Sequence, residues 1–471
     1  MSDQKMGPKL WGGAFYCGTH DIADKLNYTI QNDKFLYKQE IQVSLAYCEA
    51  LHDINILTSE ELIQVQQGYS TILKEWEENQ FIIENTDEDI YTANERRLVE
   101  LIGPTGSKIG TGKSRDSHSS TVLRLWLREE IKELILMYKK TILNVVKRAE
   151  DDKDLVMPGH THNQLAEPIR YSHLLLSYGF KFQQDIERIE QVLKHINQFP
   201  LGGGGYAGIN YNIDLNKLAK QLEFDGIIKN SINAVADRTF IMEFLFWASI
   251  TGLNFSQLSE EMLKLDCYGY IHPNPVHETG SSYYAHQSHA NCLEVLRSKA
   301  GIIFGKLTGF MMTSKSLSNG PNKDFNEANQ LIFDTVNILK QCIPMVGQFI
   351  RLLTVDNISM KQKLNEALLC NEAIKYLVLK EVPYRQAHHI IGKIKSQVPI
   401  KSNSSMFKLP MKVLTQFSNK FDEDFQQLHE KYEDAVNNCN NIGGTSLDSI
   451  NKQIEELKQW LNITEEEFSN S

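Results

Sequence analysis

The sequence predicts an all-α protein organised around long helices, and three observations carry that expectation. Only 12 of its 471 residues are proline. Apolar residues recur at steps of three and four, the spacing of one helix face. Five such stretches run for about 25 to 30 residues each, about 40 Å at a rise of about 1.5 Å per residue, and helices of that length belong in a bundle. In chain order, shorter helical pieces come before Gly112. The first stripe runs from Leu127 through Ile131, Leu134, Tyr138, Ile142 and Val145 to Ala149, and stops at Asp151 and Pro158-Gly159. A second takes Phe182, Ile186, Ile189, Leu193 and Ile196 before Pro200, and a third runs from Phe240 to about Leu265 with apolar residues on more than one side. A fourth follows Leu293, Leu296, Ala300, Ile303, Leu307 and Phe310 to Gly320-Pro321. The fifth, Ile332 to Leu353, carries Pro344 as a candidate kink. From Glu366 the chain becomes a mixed segment with a Gly443-Gly444 break. Three segments are therefore expected: 1–112, 113–365 with the bundle, and 366–471. Stripes on several sides exceed what one chain buries, so faces are left for partner subunits and a homo-oligomer is expected.

Composition narrows the function. With 49 basic against 59 acidic residues the net charge is −10, which argues against a nucleic-acid or acidic-membrane binder while leaving room for a small anionic substrate. Seven scattered cysteines, none in C-x-x-C spacing, indicate neither a zinc ribbon nor a disulfide framework. The polar start lacks a signal sequence, and the most apolar stretch, Phe244 to Leu253, is far short of the roughly 20 residues of a membrane span. A cytoplasmic protein is expected.

Chemistry must sit in the breaks between helices. Thr111 to Ser120 is polar throughout, with Lys113 and Arg115 suited to carboxylates, although an ordinary helix cap explains much of it. It is no P-loop, because the G-x-x-x-x-G-K-[ST] spacing is missing. Pro158-Gly-His-Thr-His places two histidines in a predicted loop. Gly202 to Gly208 either allows close backbone approach or forms a flexible tip. His277 to Asn291 is a long stretch without apolar period, fit for a mobile lid.

Together these segments resemble the argininosuccinate lyase family of the fumarase/aspartase superfamily, which also includes delta-crystallin. The resemblance runs from Leu10-Trp-Gly-Gly-Ala-Phe through Asp87-Glu-Asp-Ile-Tyr, Thr111-Gly-Lys-Ser-Arg, Pro158-Gly-His-Thr-His, Asn230 to Arg238, Thr279-Gly-Ser-Ser and Asn322-Lys-Asp to Arg385-Gln-Ala-His. It implies a homotetramer with a twenty-helix core, sites built from three subunits, and reversible cleavage of argininosuccinate to arginine and fumarate, with no cofactor and no resident metal. It places the acid/base serine on Ser281, the histidine on His162 and the glutamate that raises its basicity on Glu294. Substrate contacts fall on Thr29, Ser114, Arg115, Asp116, Thr161, Arg238, His289, Pro321, Asn326 and Asn329.

The departures from the family pattern are as informative. Where the family has Met-Pro-x-Lys-x-Asn, this chain has Tyr284, Ala285, His286, Gln287, Ser288 and His289. Gln287 stands where a lysine would neutralise the developing dianion, an interaction on the order of 4 kcal/mol at about 4 Å and an effective dielectric of about 20. Asp116 replaces an asparagine, Ser117 an aspartate, His118 a glutamine, Lys113 an arginine, Tyr91 a histidine, Pro321 a tyrosine, Asn326 a glutamine and Asn329 a lysine. The expectation is a family member with impaired, lost or altered activity, binding a small dicarboxylate and assembling as a tetramer, with room for mixing with active paralogous subunits. The alternatives are three: an active lyase with Arg115 as a replacement donor; a lyase for another N-substituted or simple dicarboxylate; and a metal site built from His118, His160, His286 and His289 with His162, Asp116 and Glu294.

Overall fold

The computed structural model describes residues 19–397 and 405–462. The Leu10 to Phe15 motif and Cys17 lie outside the described residues. Helices α1 (Tyr37–Asp53), α2 (Ser59–Glu77) and α3 (Ile90–Ile102) are the shorter N-terminal pieces. Two of them begin at capping boxes. Thr58 and Glu61 exchange side-chain to backbone bonds at the start of α2, and Asp89 and Thr92 do so at α3.

Helix α4 (Arg115–Asp151) starts inside the polar run, so the cap reading accounts for Thr111 to Ser114 and the helix takes the rest. A β-hairpin follows, β1 (Val156–Thr161) with β2 (Gln164–Arg170), then α5 (Tyr171–Ile196) and α6 (Thr239–Cys267). Strands β3 (Thr279–Gly280) and β4 (Ser288–His289) pair antiparallel across the predicted lid. Helices α7 (Asn291–Ser314) and α8 (Asp324–Leu352) complete the five long helices, and α8 runs uninterrupted through Pro344. Helices α9 (Cys370–Leu379), α10 (Tyr384–Gln397) and α11 (Leu447–Leu461) belong to the C-terminal segment.

The hairpin corrects the expectation of a loop at Pro158 to His162. Strand β1 is buried at four successive residues, so no alternation marks it in the sequence. Gly159 is required there, because a Cβ would stand 2.7 Å from the Glu167 carbonyl oxygen. The glycine run resolves into close approach instead of a flexible tip. Gly204 has φ +59°, and a Cβ on it would lie 2.3 Å from the Gly208 carbonyl oxygen.

The chain divides into two compact units, and each of the five long helices contributes residues to both. The first takes residues up to Leu136 with Asp185–Ile250 and Gly301–Lys340; the second takes Met137–Gln184, Thr251–Ala300 and Gln341 onward. In the first, Phe333 packs edge-on against Phe35 at 4.3 Å and Trp126 at 4.9 Å. In the second, Tyr138, Phe182 and Phe255 meet pairwise at 5.7 to 5.8 Å, tying α4, α5 and α6 together. Thr141 donates to the Ile343 carbonyl at 2.9 Å, fastening α8 to α4 one residue before Pro344. A separate cluster of Leu369, Leu377, Ile391, Phe407 and Phe425 forms the core of the C-terminal segment. Among the described residues, no helix is long and apolar enough to cross a membrane.

Candidate active site

The first unit holds most of the predicted substrate contacts, at four chain breaks. The Asp89 carboxylate caps α3, which fixes the preceding Asp87-Glu88 turn. The Glu88 carbonyl then accepts from the Thr29 amide at 2.8 Å and the Ile30 amide at 3.2 Å, bringing Thr29 beside it. The Thr29 hydroxyl donates to Asp33 at 2.9 Å, and the Ile90 amide donates to the other Asp33 oxygen at 3.1 Å. Arg115, the first residue of α4, pairs with Glu88 at 3.3 Å and with Asp89, while Lys323 also pairs with Glu88. Burial opposes the Arg115 charge, yet the Asp89 and Glu88 carboxylates outweigh it and hold its pKa above the ordinary value. Asp33 is pushed the other way, well above the usual carboxylate range, by burial and by Asp89. The result is a dense array in which Arg115 faces two carboxylates and Glu88 faces two cations.

Arg238 lies in the same unit. Its guanidinium donates to the Val235 and Asp237 carbonyls at 3.1 and 2.8 Å and covers the Phe325 ring at 5.2 Å. With Arg124 it lines a cleft of about 500 Å³. Asp116 is half-buried in the first turn of α4, and its charge favours that of Arg238. Ser114 supplies the carbonyl that accepts the first helical amide, from His118. Asn326 and Asn329 are half-buried in the first turns of α8, and Pro321 is exposed just before it.

Two of the substitutions turn out to be neighbours. The His118 ring meets Tyr91 edge-on at 5.3 Å and lies 3.4 Å from Glu40, which also accepts from Ser44 and Asn94. Burial and the nearby Lys113 charge push the His118 imidazole down to about 4, so it is neutral at pH 7. Positions 91 and 118 thus form one contact, an aromatic ring against a buried imidazole.

The second unit holds the predicted acid/base residues. His162 and Asn163 have φ of 52° and 58° and form the two-residue turn between β1 and β2, the primed geometry a tight hairpin needs. Thr161 pairs with Gln164 beside that turn, and His162 is exposed. His160 instead stacks on Tyr268 at 4.6 Å, and burial lowers its pKa. In the β3–β4 hairpin the Ser281 hydroxyl accepts from the Tyr284 amide at 2.9 Å and the Tyr283 amide at 3.3 Å. His289 pairs with Thr279 in the ladder, and Glu294 is exposed in the first turn of α7. The tip is aromatic, with Tyr283 and Tyr284 edge to face at 4.9 Å and His286 6.0 Å from Tyr284.

Among the described residues of this single chain, no hydrogen bond or ion pair joins Ser281, His162 and Glu294. Nor do three or more His, Cys, Asp or Glu side chains cluster so as to hold a metal ion. That counts against the histidine metal site, whose His118 is buried against Glu40 while His160 is stacked on a tyrosine. Sequence reasoning passed over Asp33, Glu40, Glu88, Asp89 and Lys323 as members of the array. Only Asp89 carries a local signal, its capping-box spacing to Thr92.

A lyase family model matches residues 18–305, and an argininosuccinate lyase C-terminal model matches residues 368–437. The argininosuccinate lyase of Candida albicans is 36% identical over 456 residues, covering 96% of this chain and 97% of that protein. The argininosuccinate lyase of Schizosaccharomyces pombe is 36% identical over 458 residues, covering 97% and 99%. Among solved structures, an EDDS lyase variant with bound fumarate superimposes with a TM-score of 0.80 at 21% identity, covering 92% of this chain and 88% of the other. The class II fumarase of Schistosoma mansoni gives 0.73 at 15% identity, covering 89% and 95%, so the fold is the fumarase/aspartase type. With relatives this similar over nearly its whole length, the chain belongs to the argininosuccinate lyase family.

Proposed function

We propose that this chain binds a small dicarboxylate but cleaves argininosuccinate to arginine and fumarate poorly, because its loop has lost the charge that stabilises the transition state. The observation that carries this reading is the β3–β4 hairpin, whose residues from Thr279 to His289 include no lysine or arginine. Elimination removes a proton from the carbon beside a carboxylate, and the electron pair moves onto that carboxylate before the guanidino nitrogen leaves. A preorganised donor at that carboxylate typically supplies about 100 to 1000-fold in rate.

The acid/base groups survive. Two amide donors on the Ser281 oxygen favour its ionised form, suiting it to take the proton. His162, with Glu294 as the partner that raises its basicity, is the complementary acid. Thr29, Ser114, Arg115, Asp116, Thr161, Arg238, His289, Pro321, Asn326 and Asn329 form the pocket, assembled from several subunits of a cytoplasmic homotetramer with the three-segment organisation 1–112, 113–365 and 366–471. Assembly with active paralogous subunits would let this chain modulate their sites.

A second reading is favoured by Arg115. Its charge is firmly retained beside Glu88 and Asp89, so it is a candidate replacement donor in an active lyase for argininosuccinate or another N-substituted dicarboxylate. The deciding experiment follows the ultraviolet absorbance of fumarate after argininosuccinate is added to the purified protein at high concentration. Turnover near zero in a well-folded oligomer supports the first reading. Substantial turnover abolished by both Ser281→Ala and His162→Ala supports the second.

A further inference from the structure

The second unit contains a cleft of about 560 Å³ that shares no lining residue with the pocket proposed above. That volume lies within the usual range for small-molecule sites, about 300 to 1,000 Å³. One wall is a face of α5, with His173, Ser177 and Phe180 at helical spacing, and the other is a face of α11. The third side is the loop at the Gly443-Gly444 break. That loop is held rigidly: the Gly444 amide donates to the Asn441 carbonyl at 2.9 Å, Ser449 donates to the same oxygen at 3.2 Å, and Gln453 donates to the Gly444 carbonyl at 3.0 Å. A cleft whose walls are already fastened costs little to fill.

Its chemistry is mixed. Ile442 lines the cleft with its side chain fully exposed, an arrangement that an apolar ligand group would cover. Phe180 offers a second apolar surface. On α11, Lys452 and Glu456 line the cleft one turn apart. Lys452 also reaches Asp448 at 2.6 Å, which uses one of its three donors, and Glu456 has no ion-pair partner among the described residues. The buried Nδ1 of His173 has no hydrogen-bond partner among the described residues, and burial lowers the pKa of that imidazole. Opposite charges one turn apart, with apolar surface nearby, match a zwitterion bearing an apolar side chain.

The cleft is also wired to the hairpin that carries His162. The Arg170 amide, at the end of β2, donates to the Thr445 hydroxyl at 2.8 Å. The Arg170 guanidinium donates to Glu433 and Asn437, each at 3.0 Å, on the chain leading into the loop. These contacts to β2 flank the 440–443 loop on both sides in the sequence. We propose that this cleft binds a free α-amino acid with an apolar side chain, carboxylate to Lys452 and ammonium to Glu456, and that its occupancy restrains the β1–β2 hairpin. The regulatory half of this statement rests on the role proposed for His162, whereas the binding half does not.

The test is titration calorimetry of the full-length protein with L-leucine and L-phenylalanine, repeated with their N-acetyl and decarboxylated analogues. Saturable binding is expected, weakened about tenfold by loss of either ligand charge and by Glu456→Gln. Absence of heat at about 10 mM ligand, or equal binding of the analogues, overturns the site. Hydrogen exchange across residues 156–170 should slow at saturation; unchanged exchange there overturns the coupling. Fumarate release measured on the same wild-type sample keeps the outcomes apart, because the heat of binding and the exchange rate report on the cleft whether or not the protein is a lyase.

Discussion

The array around Arg115 and the tip of the β3–β4 hairpin are built in opposite ways. Around Arg115, buried carboxylates are held by backbone amides and two cations, so every group there has partners within the fold. At the hairpin tip the side chains are solvent-facing, and Tyr283 is 85% exposed. Substitution there costs the fold almost nothing. Charge therefore sits where it also holds the fold, and the exposed tip carries none of the lysines or arginines that chemistry alone would ask for.

The largest effect should come from Arg115→Ala, which would leave Glu88 and Asp89 buried without their main counter-charge. A loss of about 3 kcal/mol in urea unfolding is expected. A loss below about 1 kcal/mol would break the contrast, because the array would then be dispensable. Next is acid lability. His118 titrates near 4 in the folded chain and near about 6.5 when unfolded, so the unfolded state binds more protons between those values. Stability is complete above about pH 6.5 and falls as pH drops toward 4, by up to about 3 kcal/mol. Unfolding curves across that window should show His118→Gln losing most of this dependence.

Gln287→Lys sharpens the comparison from the other side. The restored cation should raise fumarate release by less than about tenfold, since Asp116, Pro321, Asn326 and Asn329 remain changed. A gain of about 100-fold or more would place the whole defect in the hairpin. The smallest effect belongs to Tyr283→Ser, expected to change the unfolding free energy by less than about 0.5 kcal/mol.

The long helices were legible because each announces itself through its own apolar period, and the stripe from Leu127 to Ala149 lies within α4 as its spacing requires. The hairpin at His162 was not, since burial of both faces of β1 erased the alternation and Gly159 read as a breaker. Ser281, His162 and Glu294 were named through family resemblance, and nothing local in the sequence distinguishes them. The Arg115 array was invisible as an array because Thr29, Glu88, Arg115 and Lys323 are far apart along the chain. Likewise Tyr91 and His118 read as two unrelated substitutions until their rings were found in contact.

The double acceptance by the Ser281 oxygen has an evolutionary consequence. A hydroxyl that receives two amide protons also holds its turn, so selection for hairpin shape alone would favour a serine at this position whatever chemistry the loop performs.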